Sequence, residues 1–238
     1  MIKRLKVIIL FTVMLGVAGC QKNKVIPAYN SGITGVDINE LTTENIILPD
    51  YQLVSEARQM SSSLSLDELI NKSDIIVKGT IEKIYFNNYA YFDCFLTEVY
   101  KGDLEEKAMM TINTGQEFWN INSRKKDLGE RDPYEMNGSS VDYYGIDIDH
   151  REFSDTDYLD YCGIDMFELW QNKDQEYIFF LKDGRKAKGY NGSTPIHFAA
   201  DAYYFLFEKT TDDHYANKEN RYLDLTPIKF NSQDLVNQ

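Results

Sequence analysis

The sequence predicts a mainly β body that carries one N-terminal helix, and three observations lead there. Hydrophobic residues make up 43% of the chain, enough for a core, and 17 tyrosines with 13 phenylalanines supply rings that suit a pleated, half-buried surface. Apolar residues alternate with polar ones in short runs more often than they recur at helical spacing. Only 5 prolines and 14 glycines punctuate 238 residues, so the chain is not a low-complexity stalk. Its length fits one large domain, or a small domain with a sizeable insertion.

Ordered structure is expected to begin at Ser65. Ser65-Leu66-Asp67-Glu68 fits a capping box, with Leu64 and Leu69 placed as a hydrophobic staple across the first turn. Leu66, Leu69 and Ile70 share one face of a helix that ends near residues 71–73. A strand follows over 75–84, with Val77, Gly79 and Ile81 opposite Lys78, Thr80 and Glu82. Gly79 inside it predicts a bend or a close backbone approach, as at a barrel corner. After a turn at Asn87-Asn88, Phe92, Cys94 and Leu96 alternate against Asp93 and Thr97, giving a strand over 89–100. Lys101-Gly102-Asp103 turns the chain into a third strand over 108–114. Glu176 to Leu181 is apolar on both faces, the mark of a central strand, and ends at the turn Lys182-Asp183-Gly184. A further strand is expected over 202–208 and a last one within 222–230, interrupted at Pro227, leaving 231–238 as a tail.

Three of these segments also stand in a familiar order. Ser73-Asp74-Ile75-Ile76-Val77-Lys78-Gly79-Thr80, then Glu98-Val99-Tyr100-Lys101-Gly102, then Tyr177-Ile178-Phe179-Phe180-Leu181 resemble a group of exported bacterial proteins with an OB-like, netrin/TIMP-related small β-barrel. The resemblance implies a single barrel domain over 63–230. The chain departs from it in a long insertion, about 115–173, and in lacking the cysteine pattern of the animal inhibitory modules. It therefore implies a fold more than an activity.

The N-terminus carries an address. Lys3, Arg4 and Lys6 precede a mainly apolar run from Val7 to Val17, and Val17-Ala18-Gly19-Cys20 looks like a bacterial lipobox. The run is too short to cross a hydrocarbon core of ~30 Å comfortably. The expectation is a lipoprotein signal peptide over 1–19, diacylation at Cys20, and a lipidated tether over 20–62 with a short docked piece near Ile46 to Leu48. An ordinary cleavage site beside an unmodified Cys20 is the competing reading. Diacylation would hold the protein on the extracytoplasmic face of the cell membrane through acyl chains alone. The formal charge is −13, and loss of the three basic residues takes the body to about −16, which argues against nucleic acid as a partner.

The insertion is rich in carboxylates and rings. Asp147, Asp149, Asp155, Asp157 and Asp160 are the candidate metal ligands in it, because Ca²⁺ takes about six to eight oxygens in flexible loops. No EF-hand loop is present, and a solvated acidic loop is the plainer reading. Rings such as Tyr158, Tyr161 and Trp170 beside acids also suit sugar recognition, though rings that simply cover the barrel are the plainer explanation. Cys94 and Cys162 form an even pair that a disulfide would join, and two buried, inert thiols are the alternative. The sequence holds no nucleophile elbow, phosphate-cradling loop or zinc helix. His150, His197 and His214 are scattered, leaving a Cys162–His197 nucleophile pair as the single such arrangement worth testing. The function expected is a non-catalytic module that binds an envelope glycan or a protein and needs no cofactor. The alternatives are an envelope enzyme using insertion carboxylates or Cys162, and a Ca²⁺-stabilised adhesion protein.

Overall fold

Helix α1 (Leu66–Lys72) starts where the capping box places it. Ser65 Oγ accepts from the Glu68 amide, and the Glu68 carboxylate accepts from the Ser65 amide at 2.8 Å. The computed structural model that shows this describes residues 28–29, 32–49, 64–124, 153–186 and 197–236. Leu64 and Leu69 lie buried in one apolar cluster, so the expected staple is present.

Beyond α1 runs an unbroken extended segment, β4 (Ile75–Lys101), preceded in the chain by β1 (Ala28–Tyr29), β2 (Val36–Asp37) and β3 (Ile46–Ile47). Laid straight, β4 would hold Lys78 and Glu98 about 66 Å apart at strand rise. They instead form an ion pair, and the Tyr85 and Tyr91 rings stack at 5.5 Å. The segment therefore doubles back at Asn87-Asn88, where Asn88 takes the left-handed φ of 59°. Gly79 allows the two arms to meet: a Cβ there would lie 2.3 Å from the carbonyl oxygen of Phe95.

The arms of β4 supply two of five barrel strands. The first pairs antiparallel with β7 (Tyr177–Asp183), from Ile75 opposite Leu181 to Gly79 opposite Tyr177. The second pairs with β5 (Met109–Asn120), from Asn88 opposite Phe118 to Phe95 opposite Met109. β8 (His197–Ala199) closes the ring, parallel to β5 at Ile112 and antiparallel to β7 at Asp183. Helix α2 (Met166–Gln171) sits between the third and fourth strands in sequence. The result is a mainly β, closed five-stranded OB-like barrel, as expected. β9 (Leu206–Thr211), β10 (His214–Asn217) and β11 (Lys229–Asn231) extend the sheet outward from β7, and β6 (Tyr158–Asp160) extends it from β5.

β7 is apolar on both faces because two cores meet across it. Tyr177, Phe179 and Leu181 point into the barrel with Val77, Phe92 and Met110. Ile178 and Phe180 join a second cluster under α1 and helix α3 (Gln233–Val236), with Leu69, Phe207 and Phe230.

Several boundaries differ from expectation. The stretch read as a tether contributes three strands: β1 pairs with β5, β2 with β4 and β3 with β6. Each is two residues long, too short to carry a period, although Ile46-Ile47 falls in the piece expected to dock. β5 continues through Gly115 to Asn120, because Gly115 at φ 69° lets the strand bulge and resume. The strands expected over 202–208 and within 222–230 stand at Leu206–Thr211 and Lys229–Asn231. The supposed tail forms the end of β11 and α3, with Leu235 buried. Further short helical segments, α2, α3 and a turn over 121–124, accompany the one predicted.

Candidate functional site

A cavity of about 400 Å³ opens at the reversal of β4. Three elements wall it. The reversal brings Asn87 and Asn88; β2 and the residues before it lie antiparallel to the first arm, with Val36 opposite Phe86; the last residues of β5 face β6, with Asn120 opposite Tyr158. Gly35 lets the N-terminal wall come this close, since a Cβ there would sit 2.3 Å from the Phe86 carbonyl oxygen.

The floor is a ladder of rings. Phe86 and Phe118 stack at 3.9 Å, and Phe118 stacks on Tyr158 at 5.5 Å. The first two are buried and Tyr158 is half-buried, so the ladder ends in a ring that reaches the cavity. The rim is amide and hydroxyl. Asn87 Nδ2 donates to the Thr34 carbonyl at 2.9 Å and pins the two walls together. Asn120 donates to the Asp155 carbonyl and accepts from the amides of Asn122 and Ser123, capping the turn over 121–124. The side chains of Asn88 and Ser123 line the cavity and make no hydrogen bond among the described residues. No lining residue is charged.

A second region is the opposite in kind. Around a cavity of about 370 Å³ between α2 and the chain after β10 stand Asp165, Glu168, Glu208, Lys218 and Arg221. Asp160, wholly buried, takes Arg221 Nη1 at 2.7 Å and the Cys162 amide at 2.8 Å. Burial holds its carboxyl above the usual range, and the Arg221 charge works against that shift. Arg221 reaches Asp165 as well. Burial opposes ionisation there too, but Arg221 and the α2 amides that Asp165 caps keep its carboxyl low. Lys218, 8% exposed, bonds Glu168 at 2.8 Å and Glu208 at 3.0 Å. Its burial would lower its pKa, yet the two carboxylates raise it. Each of these charges has a partner; Glu219, exposed at the cavity mouth, makes no ion pair among the described residues.

The candidate ligands from sequence do not converge. Asp155 accepts from Asn122 Nδ2 at 2.8 Å, Asp157 accepts from the Ser154 amide at 2.8 Å, and Asp160 serves Arg221. Among the described residues no group of three histidines, cysteines or carboxylates is placed to hold a metal ion. Asp147, Asp149 and Cys20 lie outside the described residues. So does most of the signal-peptide and tether region; no helix among the described residues is long and apolar enough to cross a membrane.

Cys94 and Cys162 are both buried thiols with no bridge between them, which corrects the candidate disulfide in favour of its alternative. Cys94 stands opposite Met110, whereas Cys162 Sγ lies 3.5 Å from the Glu117 carbonyl, about 20 Å farther along β5. A bridge needs Cα atoms within about 7 Å. Burial, with Asp93 and Glu82 nearby, pushes the Cys94 thiol well above its usual range. His197 stands opposite Ile112, about 16 Å along β5 from Glu117, so Cys162 and His197 form no nucleophile pair. Its imidazole is fully buried, neither nitrogen has a hydrogen-bond partner, and burial lowers its pKa to about 4.

Sequence reading named Tyr158 and Asp160, one member of each region, and missed their partners. Asn87-Asn88 was legible only as a turn, and Lys218 and Arg221 follow a strand too short to predict. No family model, curated protein or solved structure matches the chain.

Proposed function

We propose that this chain is a lipid-anchored protein of the extracytoplasmic face of the cell membrane, whose OB-like barrel binds an envelope component without transforming it. One observation carries the binding reading. The buried and half-buried ionisable groups, whose reactivity a fold is able to tune, are tied to partners at Asp160, Asp165, Asp183, Lys218 and Arg221, or held neutral at His197 and Cys94. The uncharged cavity keeps unpaired polar groups open to solvent. The anchoring reading rests on the charge, apolar run and cysteine of Met1 to Cys20.

The test uses the full chain with its leader. Wild-type protein is expected in the membrane fraction with the mass of a diacylated product, and Cys20→Ser protein in the soluble fraction. Membrane retention of Cys20→Ser at unchanged mass would refute the anchor. Detergent-solubilised wild type is expected to co-sediment with purified cell wall and to release no soluble fragments from it. Fragment release would make the protein an enzyme.

A further inference from the structure

We infer that the cavity at the Asn87-Asn88 reversal is a binding site for an uncharged saccharide. This deepens the binding reading above and rests on it.

The chemistry of the lining selects the ligand class. A pyranose ring presents C–H faces that cover an aromatic surface and a rim of hydroxyls that both donate and accept. The cavity offers the same combination in the same order. Its floor is the ladder of Phe86, Phe118 and Tyr158, with Tyr158 as the outermost, half-buried rung. Its rim carries the Asn88 amide and the Ser123 hydroxyl, each of which donates as well as accepts. A volume of about 400 Å³ lies within the span of small-ligand sites.

The site is also built in advance. The Phe86–Phe118 stack fixes the floor, the Asn87 bond to Thr34 fixes one wall, and the three bonds of Asn120 fix the other. A preformed site orders few groups when its ligand arrives, which favours weakly held polar ligands.

Charge excludes the competing classes. A single-stranded nucleic acid would also stack on rings, but it needs cations along its phosphates. The lining has no lysine or arginine, and the chain carries −13. An anionic glycan meets the same objection. The two charged cavities, at Lys218 and at Lys229, are crowded with carboxylates and offer no ring floor.

The experiment is a titration of the full Cys20→Ser chain with three neutral probes, chitotetraose, cellotetraose and maltotetraose, followed by Trp fluorescence and calorimetry. At least one is expected to bind with an affinity that does not change between low and high salt. Tyr158→Ala should weaken that binding about tenfold. Asn88→Gly removes the rim amide while keeping a residue that accepts φ 59°, so it should also weaken binding and should melt no lower than the parent. Should Tyr158→Ala fail to fold, Asn88→Gly carries the test. No binding of any probe, or binding unaltered by Asn88→Gly, would overturn the site. These failures leave the fractionation of Cys20→Ser and the co-sedimentation with cell wall standing, and a protein partner would then account for the latter.

Discussion

Mild acid should loosen the barrel at His197. This residue opens β8, the strand that joins β5 to β7, and its ring is fully buried with no partner at either nitrogen. Burial depresses its pKa from 6.5 to about 4, Arg185 adds to the depression, and Asp183 opposes it. A base depressed in the folded state takes up its proton first in the unfolded chain. Stability is therefore complete above 6.5 and drains away as the pH falls from 6.5 to about 4. The gap corresponds to about 3 kcal/mol, a large part of the roughly 5–15 kcal/mol that holds a domain together. The carboxylates held low lose their contribution only as the pH falls below their unfolded values, 3.8 for Asp37, Asp74, Asp165 and Asp183 and 4.5 for Glu68 and Glu98. Most of the His197 window lies above theirs. Urea unfolding of wild type and His197→Phe between pH 4 and 7.5 isolates it, because other groups cancel in the difference. The variant's advantage is expected to grow by about 3 kcal/mol toward pH 4. His197→Leu provides a second variant should the Phe ring overpack. Equal loss in wild type and both variants would refute the reasoning.

Three further outcomes are expected. Arg221→Ala leaves Asp160 buried and unpaired and should cost about 3–5 kcal/mol in urea unfolding, with Arg221→Lys recovering part of it. Gly79→Ala drives a methyl against the Phe95 carbonyl and should lower the unfolding free energy measured in urea by about 1–3 kcal/mol or prevent folding. In the Cys20→Ser chain, Cys94 and Cys162 should resist alkylation until urea unfolds the protein and should then react fully without reductant; a need for reductant would reveal a bridge.

What was legible in the sequence follows the length of the elements. The helix cap at Ser65 and Glu68 is a local pattern, and the hairpin arms and β7 are long enough for alternation or double-sided apolarity to show. β1, β2, β3 and β8 have two or three residues each, and their pairing is decided by partners far along the chain. The candidate site was hidden for the same reason. Asn88, Ser123 and Tyr158 come from three separate segments, and nothing in any one segment announces the others. The acidic run shows the limit of nearness in sequence. Of its described members only Asp160 lies in β6, where it meets Arg221, while Asp155 and Asp157 stay in the preceding turn, bonded to Asn122 and to the Ser154 amide.

The N-terminal strap of residues 28–49 sets the order of assembly against the order of synthesis. It is made first, yet β1 waits roughly eighty residues for Met109, β2 roughly fifty for Tyr85 and Phe86, and β3 more than a hundred for Tyr158. Synthesis from the N-terminus therefore presents the strap long before anything it can pair with, and it can dock only once those partners exist. Its strands cover edges that would otherwise stand open to a neighbouring chain. The interval before they dock is then the time at which this protein is most exposed to self-association.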